Sequence, residues 1–191
     1  MTQTSVSIRQ IDGTSNTLSN TVIEQLLAKN MSIVPLPHYS EAELEYAAAL
    51  KDTVGQAVVP GCTPAAYAYI AKASDNGNKP LNDFVIPYYP SNAYNPGSTD
   101  VGDVSWLTPT AQFTAVTWVS GSPGHSWQNV TIGKTSIAHK GMLYAAKILA
   151  GTASDMMSDS DVLQQIRQEF CISAANGYDC PIDNSITIPS N

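Results

Sequence analysis

The residues that could do chemistry are concentrated in the stretch 97–128. Two aspartates, Asp100 and Asp103, lie three positions apart in a segment punctuated by glycine, and His125 follows the turn sequence Gly-Ser-Pro-Gly at 121–124. Carboxylates and an imidazole of this kind serve hydrolytic metal sites as ligands, or as the groups that orient the ligands. A catalytic metal needs about three protein ligands and a bound water. The cluster therefore predicts only part of a metal or acid–base site.

Each of these residues also has an ordinary structural interpretation. Aspartates in glycine-rich segments often cap local N–H groups in Asx turns, which is the alternative for Asp100 and Asp103. For His125 the alternative is a lone surface histidine. His139 lies near the start of a predicted helix, where the helix dipole disfavours a charged imidazolium. We expect His139 to be neutral and hydrogen-bonded, or to line the site.

Three tryptophans flank the cluster. We expect Trp118 to lie in the core, whereas Trp106 and Trp127 either line a pocket or pack against other side chains. The sequence contains no Gly-x-Ser-x-Gly nucleophile elbow, no phosphate-binding glycine-rich loop and no His-Glu-x-x-His helix. The absence of these motifs means that the sequence gives no indication of the chemistries they carry.

A strand and several helices must position the cluster. The run 112–119 is rich in β-branched and aromatic residues and alternates in polarity, which predicts a strand just before the histidine turn. The run 6–11 alternates less regularly and predicts a strand near the start. Apolar residues at helical spacing predict helices over 21–31, 40–54, 135–152 and 158–170, with a shorter one around 65–73. Together these elements predict an α/β fold, with a small sheet packed by helices.

Local signals mark where the predicted helices begin. Ser40 and Glu43 have the spacing of a capping box, in which each side chain satisfies a backbone N–H group of the other residue. Ser19 or Asn20 is expected to cap the first helix, and Thr135 or Ser136 the long one. The stretch 58–96 is mostly loop, and a loop region of this length is more often functional or partner-facing than idle.

Composition excludes several classes of protein. A length of 191 residues corresponds to about one domain. The net charge of −7 argues against a nucleic-acid-binding protein, because phosphate binding needs a concentrated basic face. The start has no basic segment followed by an apolar one, and no window approaches the roughly 20 apolar residues of a membrane span. We therefore expect a cytoplasmic protein without a membrane partner.

Cysteine usage fits that compartment. The three cysteines are Cys62, Cys171 and Cys180, an odd number without Cys-x-x-Cys spacing. We interpret them as reduced structural residues, and a bridge between Cys171 and Cys180 is the alternative.

Three ordered segments carry a resemblance to a known family. The segments 97–106, 124–128 and 138–142 resemble the C-terminal part of metal-dependent amidohydrolases of the aminoacylase/carboxypeptidase superfamily, particularly the p-aminobenzoyl-glutamate hydrolase B-subunit type. The resemblance runs from 12–16 to 178–182, so it covers nearly the whole chain.

This resemblance implies a fold and an activity. The family has a zinc-peptidase-like α/β catalytic domain that is interrupted by an inserted dimerisation domain. The chain would be the C-terminal portion of the catalytic domain, with 1–17 as the re-entry from the inserted domain and 171–191 as an irregular tail. The implied reaction is hydrolysis of the amide bonds of acyl- or aryl-amino acids or small peptides. The implied cofactor is a divalent metal, zinc or manganese, held only in the completed site.

The resemblance also assigns roles to individual residues. His125 would be the last metal ligand, and the site or its substrate loop would be supported by Thr99, Asp100, Asp103, Gly124 and His139. The family's remaining ligands and its general base lie in an N-terminal half that this sequence does not contain, so no catalytic residue is assigned here. We expect the chain alone to be inactive and to need that half as its partner, or else to be a non-catalytic interaction or regulatory module. Its uncovered apolar surface would favour self-association.

Overall fold

A computed structural model gives the structure of the chain, and it describes residues 4–8, 11–55, 63–91 and 97–182. The predictions for Cys62, for residues 9–10 of the first strand and for residues 183–191 of the tail lie outside the described residues. Within the described ranges the elements are the helices α1 Thr21–Ile33, α2 Glu41–Lys51, α3 Pro64–Ala73, α4 Val101–Ser105, α5 Trp127–Ile132, α6 Ser136–Ser158 and α7 Ser160–Ser173.

The predicted α/β fold is wrong for the part of the chain that the structure describes, which is helical and contains no strand. The single β-bridge there pairs Ser19 with Thr110 in parallel. Neither 4–8 nor the run 112–119 forms a strand. The physical reason is that β-propensity describes how side chains fit a pleated surface, whereas a strand also needs a neighbour for its backbone hydrogen bonds.

Residues 111–115 nevertheless keep the burial alternation of a strand. Ala111, Phe113 and Ala115 are half-buried, whereas Gln112 and Thr114 are exposed. The carbonyl groups of Thr110 and Val119 each accept a backbone hydrogen bond. Between them, residues 111–118 make no hydrogen bond with another backbone group within the described ranges. Side chains thus alternate as predicted while the backbone has no strand beside it.

Trp118 shows the consequence of this alternation. It falls in the exposed phase together with Gln112 and Thr114, and 50% of its surface is accessible. The expectation that Trp118 lies in the core is therefore wrong.

The helix predictions are confirmed, and so are two of the predicted caps. The side chain of Asn20 accepts the backbone N–H of Ile23 at the start of α1. Ser40 and Glu43 form the predicted capping box of α2. Thr135 precedes α6, but its hydroxyl donates to the Ile132 carbonyl over 2.7 Å and does not cap the helix. α2 ends earlier than predicted and α6 continues further, to Ser158.

Two apolar clusters hold these helices. One joins Leu27 of α1 to Tyr144 and Ile148 of α6, with Phe113 packed against it. The other joins α2, the N-terminal part of α6 and the two ends of the histidine turn through Ala47, Leu50, Leu81, Val119, Ile132 and Ile137. In addition α1, α6 and α7 pack against one another.

The run 111–119 lies directly against α6. A Cβ added at Gly141 would collide with the carbonyl oxygen of Val116, so the backbone of this run approaches α6 at a position where only glycine leaves room. None of the helices in the described part of the chain is both long and apolar enough to traverse a lipid bilayer.

Candidate functional site

The histidine turn is anchored in the core at both ends. Val119 before it and Ile132 in the helix after it are fully buried in the same cluster. Between them the chain leaves the core, and His125 at the tip is exposed. No hydrogen bond or ion pair to the His125 ring exists within the described ranges. The turn therefore presents a free imidazole on a firmly attached loop.

His125 has an unusual backbone conformation. Its φ of 55° lies in the left-handed region, which costs an ordinary side chain about 1–2 kcal/mol. Gly121 also has a positive φ, of 88°, but glycine adopts this conformation without that cost. Strain of this kind persists only where the surrounding structure imposes it, and it is concentrated at functional sites.

Several hydrogen bonds connect the residues on either side of His125. The side-chain amide of Asn129 donates to the Pro123 carbonyl over 3.0 Å, and its backbone N–H donates to the Ser126 hydroxyl over 3.4 Å. The Ser122 N–H donates to the Val119 carbonyl over 3.2 Å. Two buried polar atoms, Ser122 Oγ in the turn and Asn129 Oδ1 in α5, have no hydrogen-bond partner among the described residues.

The second part of the predicted site is a short helix and not a turn. Gly102 of α4 is buried against the backbone of Ser15, where a Cβ would collide with the Ser15 carbonyl oxygen. Asp100 precedes the helix, is exposed and makes no side-chain cap. The Thr99 hydroxyl accepts the Val101 N–H over 3.3 Å. The local turn contact is thus made by the threonine and not by an aspartate.

Asp103 joins segments that are far apart in sequence. Its Oδ1 accepts the backbone N–H of Ser15 and the hydroxyl of Tyr178, each over 3.1 Å. These donors, with the Ser15 N–H first, hold the pKa of Asp103 below its ordinary value. Beside it, Trp106 donates its indole N–H to the Asn16 carbonyl over 2.9 Å. Asp103 therefore fixes α4 to two other segments.

The structure does not bring the candidate residues together through direct contacts. Within the described ranges, no hydrogen bond or ion pair connects His125 to Asp100 or Asp103. His139 lies exposed on the first turns of α6. Gly124 is exposed, with no atom within 4 Å of a Cβ added there. Thr99, Asp100, Asp103, Gly124 and His139 thus remain predictions as site residues.

The family's metal does not fit the described residues by themselves. No group of three or more His, Cys, Asp or Glu side chains that could hold a metal ion occurs in the part of the chain that the structure describes. A catalytic zinc needs three protein ligands and an open position. An exposed, unpartnered imidazole at His125 can supply one such donor and no more.

The sequence interpretation missed several residues of these two regions. Ser126 accepts the N–H of Asn129 three positions on, which is ordinary N-cap spacing and could have identified α5. The contacts of Asp103 with Ser15 and Tyr178 span 88 and 75 positions, and no local pattern signals them. Cys171 and Cys180 are free, so the alternative disulfide is absent.

Comparison with known proteins shows the class of protein. The resemblance predicted from the sequence is confirmed, because nearly the whole chain is similar to part of a hydrolase subunit. One relative is the B-subunit of p-aminobenzoyl-glutamate hydrolase from Escherichia coli (strain K12), to which the chain is 33% identical over 198 residues. The alignment covers 98% of this chain and 40% of the relative, so the chain spans well under half of that protein's length. No protein-family model and no solved structure matches the chain.

Proposed function

We propose that the chain is one part of a metal-dependent amidohydrolase, which cleaves the amide bonds of acyl- or aryl-amino acids or small peptides when the remaining polypeptide is present. The observation that carries this proposal is the similarity of 98% of the chain to 40% of a hydrolase subunit. The activity thus belongs to an assembly to which these residues contribute.

In this proposal His125 supplies one metal ligand, and the remaining polypeptide supplies the other donors and the general base. Support comes from the exposed, unpartnered imidazole and from the left-handed φ of His125, a kind of backbone strain that is concentrated at functional sites. When bound, zinc or manganese would polarise the scissile carbonyl and lower the pKa of a water. Thr99 and Asp100 are exposed and available to substrate, whereas Asp103 holds the helix α4 that follows them in place.

The surface beside His125 is suited to receive the remaining polypeptide. Residues 111–118 offer a backbone without backbone partners in the described structure, and an extended segment of a second polypeptide can satisfy such groups. Trp118, Trp127 and Val130 are exposed on the segments on either side of the turn. Exposed apolar groups of this size mark interaction surfaces when they are contiguous. We infer that this region faces the remaining polypeptide.

The test is a chimera in which this chain replaces the matched 40% of the Escherichia coli protein. With Zn²⁺ or Mn²⁺ we expect hydrolysis of p-aminobenzoyl-glutamate by the chimera and none by the isolated chain. His125→Ala should abolish the activity, whereas His38→Ala, an exposed histidine between α1 and α2, should retain it. A chimera that is folded by circular dichroism but inactive would favour the non-catalytic interaction or regulatory module.

Titration of the isolated chain with Zn²⁺ gives a second test. A single imidazole binds zinc weakly, so we expect no tight binding. Tight binding that is lost in His125→Ala would show that the chain holds a complete metal site. It would contradict a site that the chain shares with the remaining polypeptide.

A further inference from the structure

We propose that an extended segment of the remaining polypeptide pairs with residues 111–118 and places an apolar side chain in the cavity beside them. This inference rests on the proposed function, which supplies the partner, and deepens it by naming the form of the contact. The occupant is a strand, whose backbone and side chains together satisfy the groups that this part of the surface leaves unpaired.

The backbone of residues 111–118 lacks hydrogen bonds although part of the run is shielded from solvent. Within the described ranges, no backbone group and no side chain bonds to an N–H or carbonyl group of this run. Ala115, Val116 and Thr117 are half-buried. Buried backbone groups are almost always paired in folded proteins, so these groups need a partner that the described residues do not supply.

The sequence of the run is unlike that of a strand edge that stays exposed. Residues 110–120 contain no Lys, Arg, Asp, Glu or Pro. Natural proteins protect exposed edges with such residues, because an unprotected edge pairs with other chains. Residues 111–115 already have the burial alternation of a strand. An extended segment satisfies an edge of this kind through its own backbone.

A small apolar cavity lies beside the run. Its walls are formed by the run itself, by the segment 82–85 and by α6, and they include Tyr39, Phe84, Ala115 and Tyr144. Its volume is about 40 Å³. Such voids are few in protein interiors, because unfilled space forfeits packing contacts. An apolar side chain of the pairing segment would fill it.

Asn82 places an unpaired polar atom at this cavity. Its Oδ1 is buried and has no hydrogen-bond partner among the described residues. A buried acceptor without a donor destabilises the folded state. Along each edge of an extended segment a backbone N–H recurs at every second residue, which offers this acceptor a donor. A small molecule could meet Asn82, but it would leave the backbone of 111–118 unpaired.

The remaining polypeptide is the occupant that the comparison supports. The chain corresponds to 40% of the relative's length, so the larger part of such a protein lies outside the chain. The run also leads directly into the histidine turn, and the exposed Trp118 and Trp127 continue the surface assigned to that polypeptide. A second copy of this chain is the competing occupant, and the experiment distinguishes the two.

Hydrogen–deuterium exchange, followed by mass spectrometry, tests the pairing in the isolated chain and in the chimera. We expect the amides of 111–118 to exchange freely in the isolated chain. In the chimera they should exchange about 100-fold or more slowly, because a paired strand opens rarely. The helix α1, whose Leu27 is buried in the core, is the internal control and should be protected in both proteins.

Substitution of Asn82 tests the cavity, with opposite signs in the two proteins. In the isolated chain Asn82→Leu removes an unpaired buried acceptor and should raise the Tm. In the chimera the same change removes the acceptor of the inserted segment and should lower the Tm. Asn78→Leu, at an exposed position that does not line the cavity, should shift both proteins alike. Shifts of the same sign for Asn82→Leu in both proteins would overturn the insertion at the cavity.

The outcomes separate this inference from the proposed function. Free exchange of 111–118 in a folded, active chimera would overturn the pairing and leave the hydrolase activity standing. An inactive chimera with slow exchange at 111–118 would instead support the pairing and contradict the proposed activity. Protection of 111–118 in the isolated chain would also overturn the inference, and a rise of that protection with concentration would identify a second copy as the occupant.

Discussion

The hydroxyl of Tyr178 donates to Oδ1 of Asp103 over 3.1 Å, and so connects α4 to the segment after α7. The same oxygen accepts the backbone N–H of Ser15. A helix of five residues has too few internal hydrogen bonds to be stable alone, so these contacts hold α4 in place. The two aspartates of the sequence motif therefore differ, because Asp103 is fixed by contacts whereas the exposed Asp100 side chain does not cap the helix.

Asp103→Asn tests this difference through the pH dependence of stability. The folded-state pKa of Asp103 lies below its unfolded value, so its contribution is present above the unfolded pKa and is lost as pH falls through the folded pKa. We expect a lower Tm for the variant at pH 7, and a difference from the unmodified chain that disappears in acid. Asp100→Asn, which removes no side-chain hydrogen bond, is the control. Equal Tm values for the two variants at pH 7 would contradict the structural role of Asp103.

Glu43 provides a second pH-dependent contact, between α2 and α6. Bonds from Lys140, Ser136 and the Ser40 backbone lower the pKa of Glu43 to about 2. Lys140 Nζ lies 2.6 Å from its carboxylate. We expect Glu43→Ala to reduce the free energy of unfolding by about 1–2 kcal/mol at pH 7, since solvent screens part of the ion pair.

The pH profile of Glu43→Ala has a defined direction. Because the folded pKa is depressed, the contribution of Glu43 is full above the unfolded pKa and is lost as pH falls toward about 2. Denaturant unfolding at several pH values measures it, with Glu45→Ala on the same helix as the control. A difference between Glu43→Ala and the unmodified chain that persists undiminished at pH 2 would exclude this explanation.

Gly141→Ala tests the contact between α6 and the run 111–119. Helix propensity alone predicts stabilisation by about 1 kcal/mol. The structure predicts the opposite, a loss of about 1–3 kcal/mol, because a methyl group would collide with the Val116 carbonyl oxygen. Gly55→Ala, where no atom lies within 4 Å of an added Cβ, should be tolerated. A higher Tm for Gly141→Ala would show that the run does not lie against the helix.

His125→Gly tests whether the histidine is retained for function at a cost in stability. Glycine relieves the strain of a φ of 55° but raises the entropy of the unfolded chain, so we expect a net stabilisation of about 0.5–1 kcal/mol. Urea unfolding measures this difference. The same substitution should abolish the activity of the chimera. Destabilisation by His125→Gly would mean that the imidazole makes contacts that support the fold.

Patterns within about four residues predicted much of the local structure. The apolar spacing of α1 and α6 and the Ser40–Glu43 capping box were predicted, because helix periodicity and capping are determined by neighbours in sequence. The strand predicted over 112–119 is absent, and of its pattern only an alternation in burial over 111–115 is found. The position of His125 after an apolar run was also predictable, although its left-handed φ was not.

The sequence by itself determined the five longer helices, the turn that carries His125 and the similarity to a hydrolase subunit. The tertiary structure decided the features that depend on long-range contacts. In the described part of the chain, residues 111–118 have no backbone hydrogen-bond partners, and Trp118 is exposed. Asp103 accepts hydrogen bonds from Ser15 and Tyr178. A strand or a metal site needs groups from distant positions, and their meeting depends on the packing of the whole chain. Local patterns show which residues are available for such contacts, and packing determines which of them meet.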